Sequence, residues 1–219
     1  MSNDSRAARA LLTQAGVMPV VTIHSVEQGL AIARALAAGG LTTIEITLRS
    51  AAALAVIAAI KQQLPQITVG VGTVLNATHI RQSEDAGADF LVTPGTTPRL
   101  AEALAKSPLP AIPGVATPSD IMTLLELGFD CVKLFPAVAL GGLARVKALA
   151  GPFPNLALCP TGGINEEDAG LYLDQPNVIC VGGSWMLQRV WVSELRLDKI
   201  EAAAAHSCRI LATMHTHAR

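Results

Sequence analysis

The sequence predicts one (β/α)₈ barrel running through all 219 residues. Three observations carry the prediction. Eight short β-rich runs recur with starts about 20–25 residues apart, the length of a strand, a loop and a helix of about ten residues. The segments between them place apolar residues at i, i+3 and i+4, the helical period. Composition does not shift along the chain, so nothing marks a second domain. A doubly wound open sheet is the alternative. It calls for a GxGxxG turn after the first strand, and none stands there.

Each element has its own justification. Residues 1–16, MSNDSRAARALLTQAG, read as a short amphipathic helix placed to cover one end of the barrel. The predicted strands are Pro19–Ile23, Thr43–Thr47, Gln66–Gly70, Phe90–Thr93, Ala111–Ile112, Cys131–Leu134, Leu156–Cys159 and Val178–Val181. Leu30, Ile32, Ala33 and Leu36 give a helix after the first strand, and Ile121, Leu124, Leu125 and Leu127 one after the fifth. In AAGGLTTIEI, DAGADFLV and ELGFDCVKL a glycine ends a helix just before a strand, the left-handed position that glycine fills most easily. Residues from about 191 to 219 read as one long final helix and a loose tail.

Composition narrows the function. Charged residues make up 15% and hydrophobic residues 51%, which excludes a disordered chain. The net charge is −1 and aromatics are 3%, so neither a basic track nor stacking platforms for nucleic acid are present. The longest apolar run, Ala51–Ile60, is half of the ~20 residues a membrane span needs. The N-terminus does not read as a signal peptide. Cys131, Cys159, Cys180 and Cys208 are far apart and are expected to be reduced thiols of a cytoplasmic protein.

Two polar residues stand where a core is expected. In TIEITLR, Thr43–Arg49, the apolar set Ile44, Ile46 and Leu48 must face the helices. Side chains alternate along a strand, so Glu45 points into the barrel. In CVKLFP, Lys133 lies opposite Val132 and Leu134 and also points inward; of five lysines it is the one embedded in an apolar run. An amine held out of water spends more time neutral, as an imine-forming nucleophile must. A buried ion pair is the alternative for Glu45, and a lysine snorkelling to the rim the alternative for Lys133.

Active sites of such barrels lie at the C-terminal ends of the strands. Those ends carry His24, Arg49, Thr73, Pro94, Pro113, then Thr161, Gly162 and Gly163 after the seventh strand, and Gly182, Gly183 and Ser184 after the eighth. Paired glycines after these last two strands offer free backbone N–H groups to a phosphate, and a tight turn is the alternative reading. No metal site is expected. His215 and His217 in the tail have no carboxylate near them, and His24 and His79 no spaced partner.

The ordered motifs IEITLR, GVGTVLN, TPG, IPGVAT, KLFPA, GPFPN, CPTGGI and GGSW together resemble the 2-keto-3-deoxy-6-phosphogluconate aldolase family, which also handles 4-hydroxy-2-oxoglutarate. The resemblance spans about residues 16–186. It implies a (β/α)₈ barrel, usually a homotrimer, and class I chemistry with no cofactor. It implies that Lys133 forms the Schiff base and that Glu45 is the general acid/base. Arg49 and Thr73 would contact the pyruvate carboxylate, while Pro94, Phe135 and Thr161 line the site. Gly162, Gly163, Gly182, Gly183 and Ser184 would contact the phosphate of a small phosphorylated 2-keto acid. The family often reads KFFPAE where this chain has KLFPAV, with Leu134 and Val138. The sister aldolase of the phosphogalactonate epimer, a phosphosugar isomerase and a non-catalytic phosphate-binding barrel are the other readings.

Overall fold

A computed structural model describes residues 5–217, with side chains described through residue 211. The His215 and His217 side chains and the first four residues of the expected N-terminal helix lie outside the described residues. Helix α1 (Ser5–Ala15) precedes β1 (Val17–Val21), and parallel strands then alternate with helices. The strands are β2 (Thr43–Thr47), β3 (Thr68–Gly72), β4 (Phe90–Val92), β5 (Ala111–Ile112), β6 (Gly114–Val115), β7 (Cys131–Leu134), β8 (Ala157–Pro160) and β9 (Val181–Gly183). One sheet has the order β5-β4-β3-β2-β1-β9 and a second the order β6-β7-β8, a parallel α/β arrangement that forms a half-barrel. Pro113 alone separates β5 from β6. It has no N–H to give to a ladder, but its carbonyl accepts from Lys133 N at 2.9 Å.

The intervening helices are α2 (Val26–Ala38), α3 (Ala53–Gln63), α4 (Ala77–Asp85), α5 (Pro98–Ala105), α6 (Pro118–Glu126), α7 (Gly142–Ala150) and α8 (Glu166–Leu173). Their starts are written in the sequence. Ser25, Asn76, Thr97, Thr117 and Asn165 each accept a backbone N–H of the first turn, which satisfies a donor the helix cannot. At α6 the Asp120 carboxylate completes a capping box. Burial works against its charge, but the N–H groups of Ala116 and Thr117, the Thr117 hydroxyl and the Arg145 charge together outweigh burial and hold it below the usual carboxylate range.

Strand alternation sorts the core into two layers. Val17, Val21, Ile44, Ile46, Val69, Val71, Leu91, Val132, Leu134, Leu158 and Val181 pack outward with the helix residues. Met18, Phe90, Val92, Ile112, Cys131, Cys159 and Cys180 pack inward, and the buried face of α1 (Ala8, Leu12, Ala15) closes this inner cluster. A helix is thus present in the expected N-terminal segment, with its apolar face on the inner cluster. All four cysteines are free thiols. Burial pushes the Cys131 thiol up to about 12. In the neighbouring Cys159–Cys180 pair, their mutual hydrogen bond and the Lys133 charge lower Cys159, and burial raises Cys180.

Three expectations need correcting. The first and third strands are displaced by two residues from the predicted bounds. The eighth run is paired mainly through Val181–Gly183, so the glycine pair lies inside β9 rather than after it. The final segment is not one helix: a 3₁₀ turn (Trp185–Leu187) and α9 (Arg189–Ser193) precede a break at Leu195, whose φ of 52° no helix accommodates, and α10 runs from Leu197 to His217.

Candidate active site

Glu45 occupies the centre of β2 and pairs in register with Val20 of β1 and Gly70 of β3. Its side chain is 1% exposed. Gly72 makes room for it: a Cβ there would stand 2.1 Å from Glu45 Oε1. Lys133 lies on β7 between Gly114 and Cys159, with a side chain 5% exposed. Its Nζ donates to both carboxylate oxygens of Glu45 at 3.0 Å each and stands 5.5 Å from the centre of the Phe135 ring. Both inward-pointing residues thus meet, as the strand parity predicts. The buried ion pair offered as an alternative for Glu45 is present, and it is also an arrangement that can pass a proton.

The pair opens onto a cavity of about 160 Å³ at the C-terminal ends of the strands. Arg49, Lys133, Phe135, Thr161, Gly162, Gly163, Gly183 and Ser184 line it, so eight of the twelve residues proposed from sequence share its walls or floor. Glu45 sits behind Lys133, outside the lining. Thr73, Pro94 and Gly182 are not brought to the wall. Thr73 adopts a φ of 63° at the end of β3, and the Pro94 backbone packs against Gly114. Gly182 makes a bridge to Thr161, and a Cβ on it would lie 2.3 Å from Thr161 Oγ1. Its lack of a side chain therefore serves the threonine.

The other glycines divide similarly. Gly162 (φ 101°) and Gly163 (φ 82°) hold left-handed backbone, where a side chain is strained. Gly183 is required by packing, since a Cβ would meet the Trp185 ring at 1.8 Å. Trp185 in turn donates to Ser207 on α10 at 2.9 Å.

Sequence reasoning missed part of the wall. Val20, Thr22, Thr47 and Ile164 also line the cavity. Thr22 and Thr47 join their hydroxyls at 2.8 Å, and Thr47 reaches the Val21 carbonyl at 3.3 Å. The signal for Thr47 was available, because it lies two residues past Glu45 on the same strand face. A second cavity of about 470 Å³ adjoins the first across Val20, Thr22, Arg49 and Ser184. Among the described residues no group of three or more His, Cys, Asp or Glu side chains is arranged to hold a metal ion.

Comparison with known proteins agrees with this geometry. The family model "KDPG and KHG aldolase" matches residues 8–203. The 2-dehydro-3-deoxy-phosphogluconate aldolase of Pseudomonas aeruginosa is 42% identical over 213 residues, covering 93% of this chain and 97% of that one. The KHG/KDPG aldolase of Escherichia coli K12 is 40% identical over 187 residues, covering 85% and 88%. The crystal structure of the KDPG aldolase of Legionella pneumophila, with pyruvate captured as a covalent carbinolamine intermediate, superposes with a TM-score of 0.88 at 38% identity, covering 90% of this chain and 96% of that one. A match of this extent, on a chain whose inward-pointing lysine and glutamate meet beside a cavity at the strand ends, places the protein in the KDPG and KHG aldolase family.

Proposed function

We propose that this protein is a class I aldolase that cleaves 2-dehydro-3-deoxy-6-phosphogluconate into pyruvate and glyceraldehyde 3-phosphate, and that it also acts on 4-hydroxy-2-oxoglutarate. The observation that carries the reading is the buried Lys133–Glu45 pair at 3.0 Å, facing a cavity that also holds Arg49 and Ser184. The names of the 40–42% identical relatives support the substrate.

The mechanism follows from the placement. Lys133 must shed a proton before it attacks, and Glu45 is the group at hydrogen-bond distance to take it. The neutral amine adds to the C2 ketone, Glu45 gives the proton it took to the carbinolamine hydroxyl, and loss of water leaves the iminium and a Glu45 carboxylate. The electron pair of the C3–C4 bond flows into this sink while a base removes the C4 hydroxyl proton, so the aldehyde leaves as an enamine forms. Glu45, a carboxylate again beside the iminium, serves as that base and returns the proton to C3. Hydrolysis then frees pyruvate. Arg49 pairs with the substrate carboxylate, with Phe135 and Thr161 as walls; Thr73 and Pro94, which stand off the wall, are left without a substrate contact in this reading. Backbone N–H groups of the Gly162–Gly163 turn, with Gly183 and the Ser184 hydroxyl at the strand end, receive the phosphate, while Gly182 makes room for Thr161 behind them. The chemistry asks for no cofactor or metal, since the iminium does the polarising.

The same reading takes the chain as one closed (β/α)₈ barrel over residues 1–219. Support comes from the single residue between β5 and β6, and from the Leu158–Val178 and Thr161–Gly182 bridges that link β8 to the segment of β9. It further takes the protein as a cytoplasmic homotrimer acting on a small phosphorylated 2-keto acid, with neither nucleic acid nor membrane as partner. Apolar side chains left exposed at Leu75, Met122 and Leu171 suit a subunit contact. No described helix is long and apolar enough to cross a membrane.

Gly162→Ala tests the phosphate turn. It puts a side chain on left-handed backbone and brings a Cβ to 3.1 Å from the Phe135 ring, so the turn must shift. The expected result in steady-state assays is a KM for the phosphorylated substrate raised about tenfold, from the loss of one or two charge-assisted hydrogen bonds. The KM for 4-hydroxy-2-oxoglutarate should change much less. Equal damage to both substrates would assign the glycine to the turn alone.

A further inference from the structure

A phosphate monoester carries a charge of −1.5 to −2 at neutral pH, and the donors assigned to it above are all neutral. Arg49 is committed to the carboxylate at the other end of the substrate, and Lys133 to the imine. The helix after the TGGI turn offers little more. The first turn of α8 is acidic, with Glu166, Glu167 and Asp168, and Asn165 Oδ1 already accepts the Asp168 N–H. An anion held beside that helix lacks a counter-charge there.

The adjoining 470 Å³ cavity supplies one. Its walls hold the polar residues Thr22, His24, Gln28, Ser184 and Ser193 and the cations Arg49 and Arg189 together with apolar residues, and no carboxylate is among them. Arg49 and Ser184 are common to both cavities, so the space beyond Ser184 continues the substrate pocket. Arg189 opens α9, five residues after Ser184, and is exposed. No ion pair joins it to a carboxylate among the described residues. Together with Arg49 it is one of two permanent cations in these walls, and it is the one that the carboxylate does not occupy.

We propose that Arg189 is the counter-ion of the substrate's distal phosphate, acting across the cavity wall that Arg49 and Ser184 share, and that it sets the preference for phosphorylated over unphosphorylated 2-keto acids. The proposal rests on the aldolase reading and deepens it. Neutral N–H and hydroxyl donors fix where the phosphate sits, and the guanidinium supplies charge and a planar pair of donors suited to two phosphate oxygens. Because Arg189 is exposed, its attraction is screened by salt.

The test compares wild type, Arg189→Ala and Arg189→Lys on the phosphorylated six-carbon 2-keto-3-deoxy acid and on its unphosphorylated counterpart. Kinetics are measured at low and high ionic strength, with borohydride trapping of pyruvate alongside. Arg189→Ala should raise KM for the phosphorylated substrate about tenfold at low salt while changing its kcat little. On the unphosphorylated acid it should stay within about twofold. Arg189→Lys should recover most of the loss, and the KM of the alanine variant should depend less on salt than that of wild type. An unchanged substrate ratio in Arg189→Ala, or equal losses on both substrates, overturns the proposal. Wild type that traps no pyruvate overturns the aldolase reading itself, through a readout that involves no phosphate.

Discussion

Lys133→Met is expected to abolish cleavage and to destabilise the fold, and the two effects have one cause. Turnover should drop by roughly 10⁴-fold or more, because the covalent route disappears and no other described lysine reaches the cavity. Stability should fall by about 3–5 kcal/mol, the usual cost of removing one partner of a buried ion pair. The methionine fills a similar volume, so packing is not the source of that loss. The source is Glu45, left 1% exposed with no cation at its oxygens. Adding Glu45→Gln to Lys133→Met should therefore return most of the stability while activity stays absent. Chemical denaturation of the two single variants and the double variant measures this coupling. A double variant that loses the sum of the single losses would mean that the pair carries no shared energy.

The second large effect is that of Glu45→Gln alone. Glutamine keeps the shape and an acceptor oxygen facing Nζ, but it cannot hold a proton. Turnover should fall by about 10²–10⁴, the usual worth of a positioned acid/base. The pyruvate adduct on Lys133 should still form, more slowly, because the amine itself remains. Steady-state cleavage measured beside adduct formation separates these steps. Near wild-type turnover would remove Glu45 from the mechanism and leave the carboxylate as a structural partner of Lys133.

Much of this arrangement was legible in the sequence. Alternation alone placed Glu45 and Lys133 on one interior, because Ile44 with Ile46 and Val132 with Leu134 had to face the helices. The bounds of Thr43–Thr47, Ala111–Ile112 and Cys131–Leu134 came out as predicted, each being a β-rich run set off by glycine, proline or threonine. The misplacements of β3 and β9 share a physical origin. Glycine reads as a turn when only local conformation is considered. In β3 and β9 it is instead a vacancy on the sheet's inner face, filled by Glu45 beside Gly72 and by Thr161 beside Gly182. That requirement lies in another strand and is invisible to local pattern. The break at Leu195 is similar, since leucine gives no warning of a positive φ. Thr22 and Arg189 escaped notice because a wall is set by how the β1 and β9 ends converge, and no spacing in the sequence encodes it.

Trapping with borohydride addresses the central claim most directly. Pyruvate is added to the protein, borohydride reduces any imine, and the labelled peptide is mapped by mass. Lys133 should carry the reduced pyruvyl adduct. Lys61, Lys106, Lys147 and Lys199 should not, because among the five lysines only Lys133 stands in the cavity with Arg49, and the Lys61 ammonium is already paired with Asp89 at 2.7 Å. A pyruvate adduct confined to Lys133 is the result the account predicts. No adduct, or one spread over the other lysines while Lys133 stays unmodified, would contradict it.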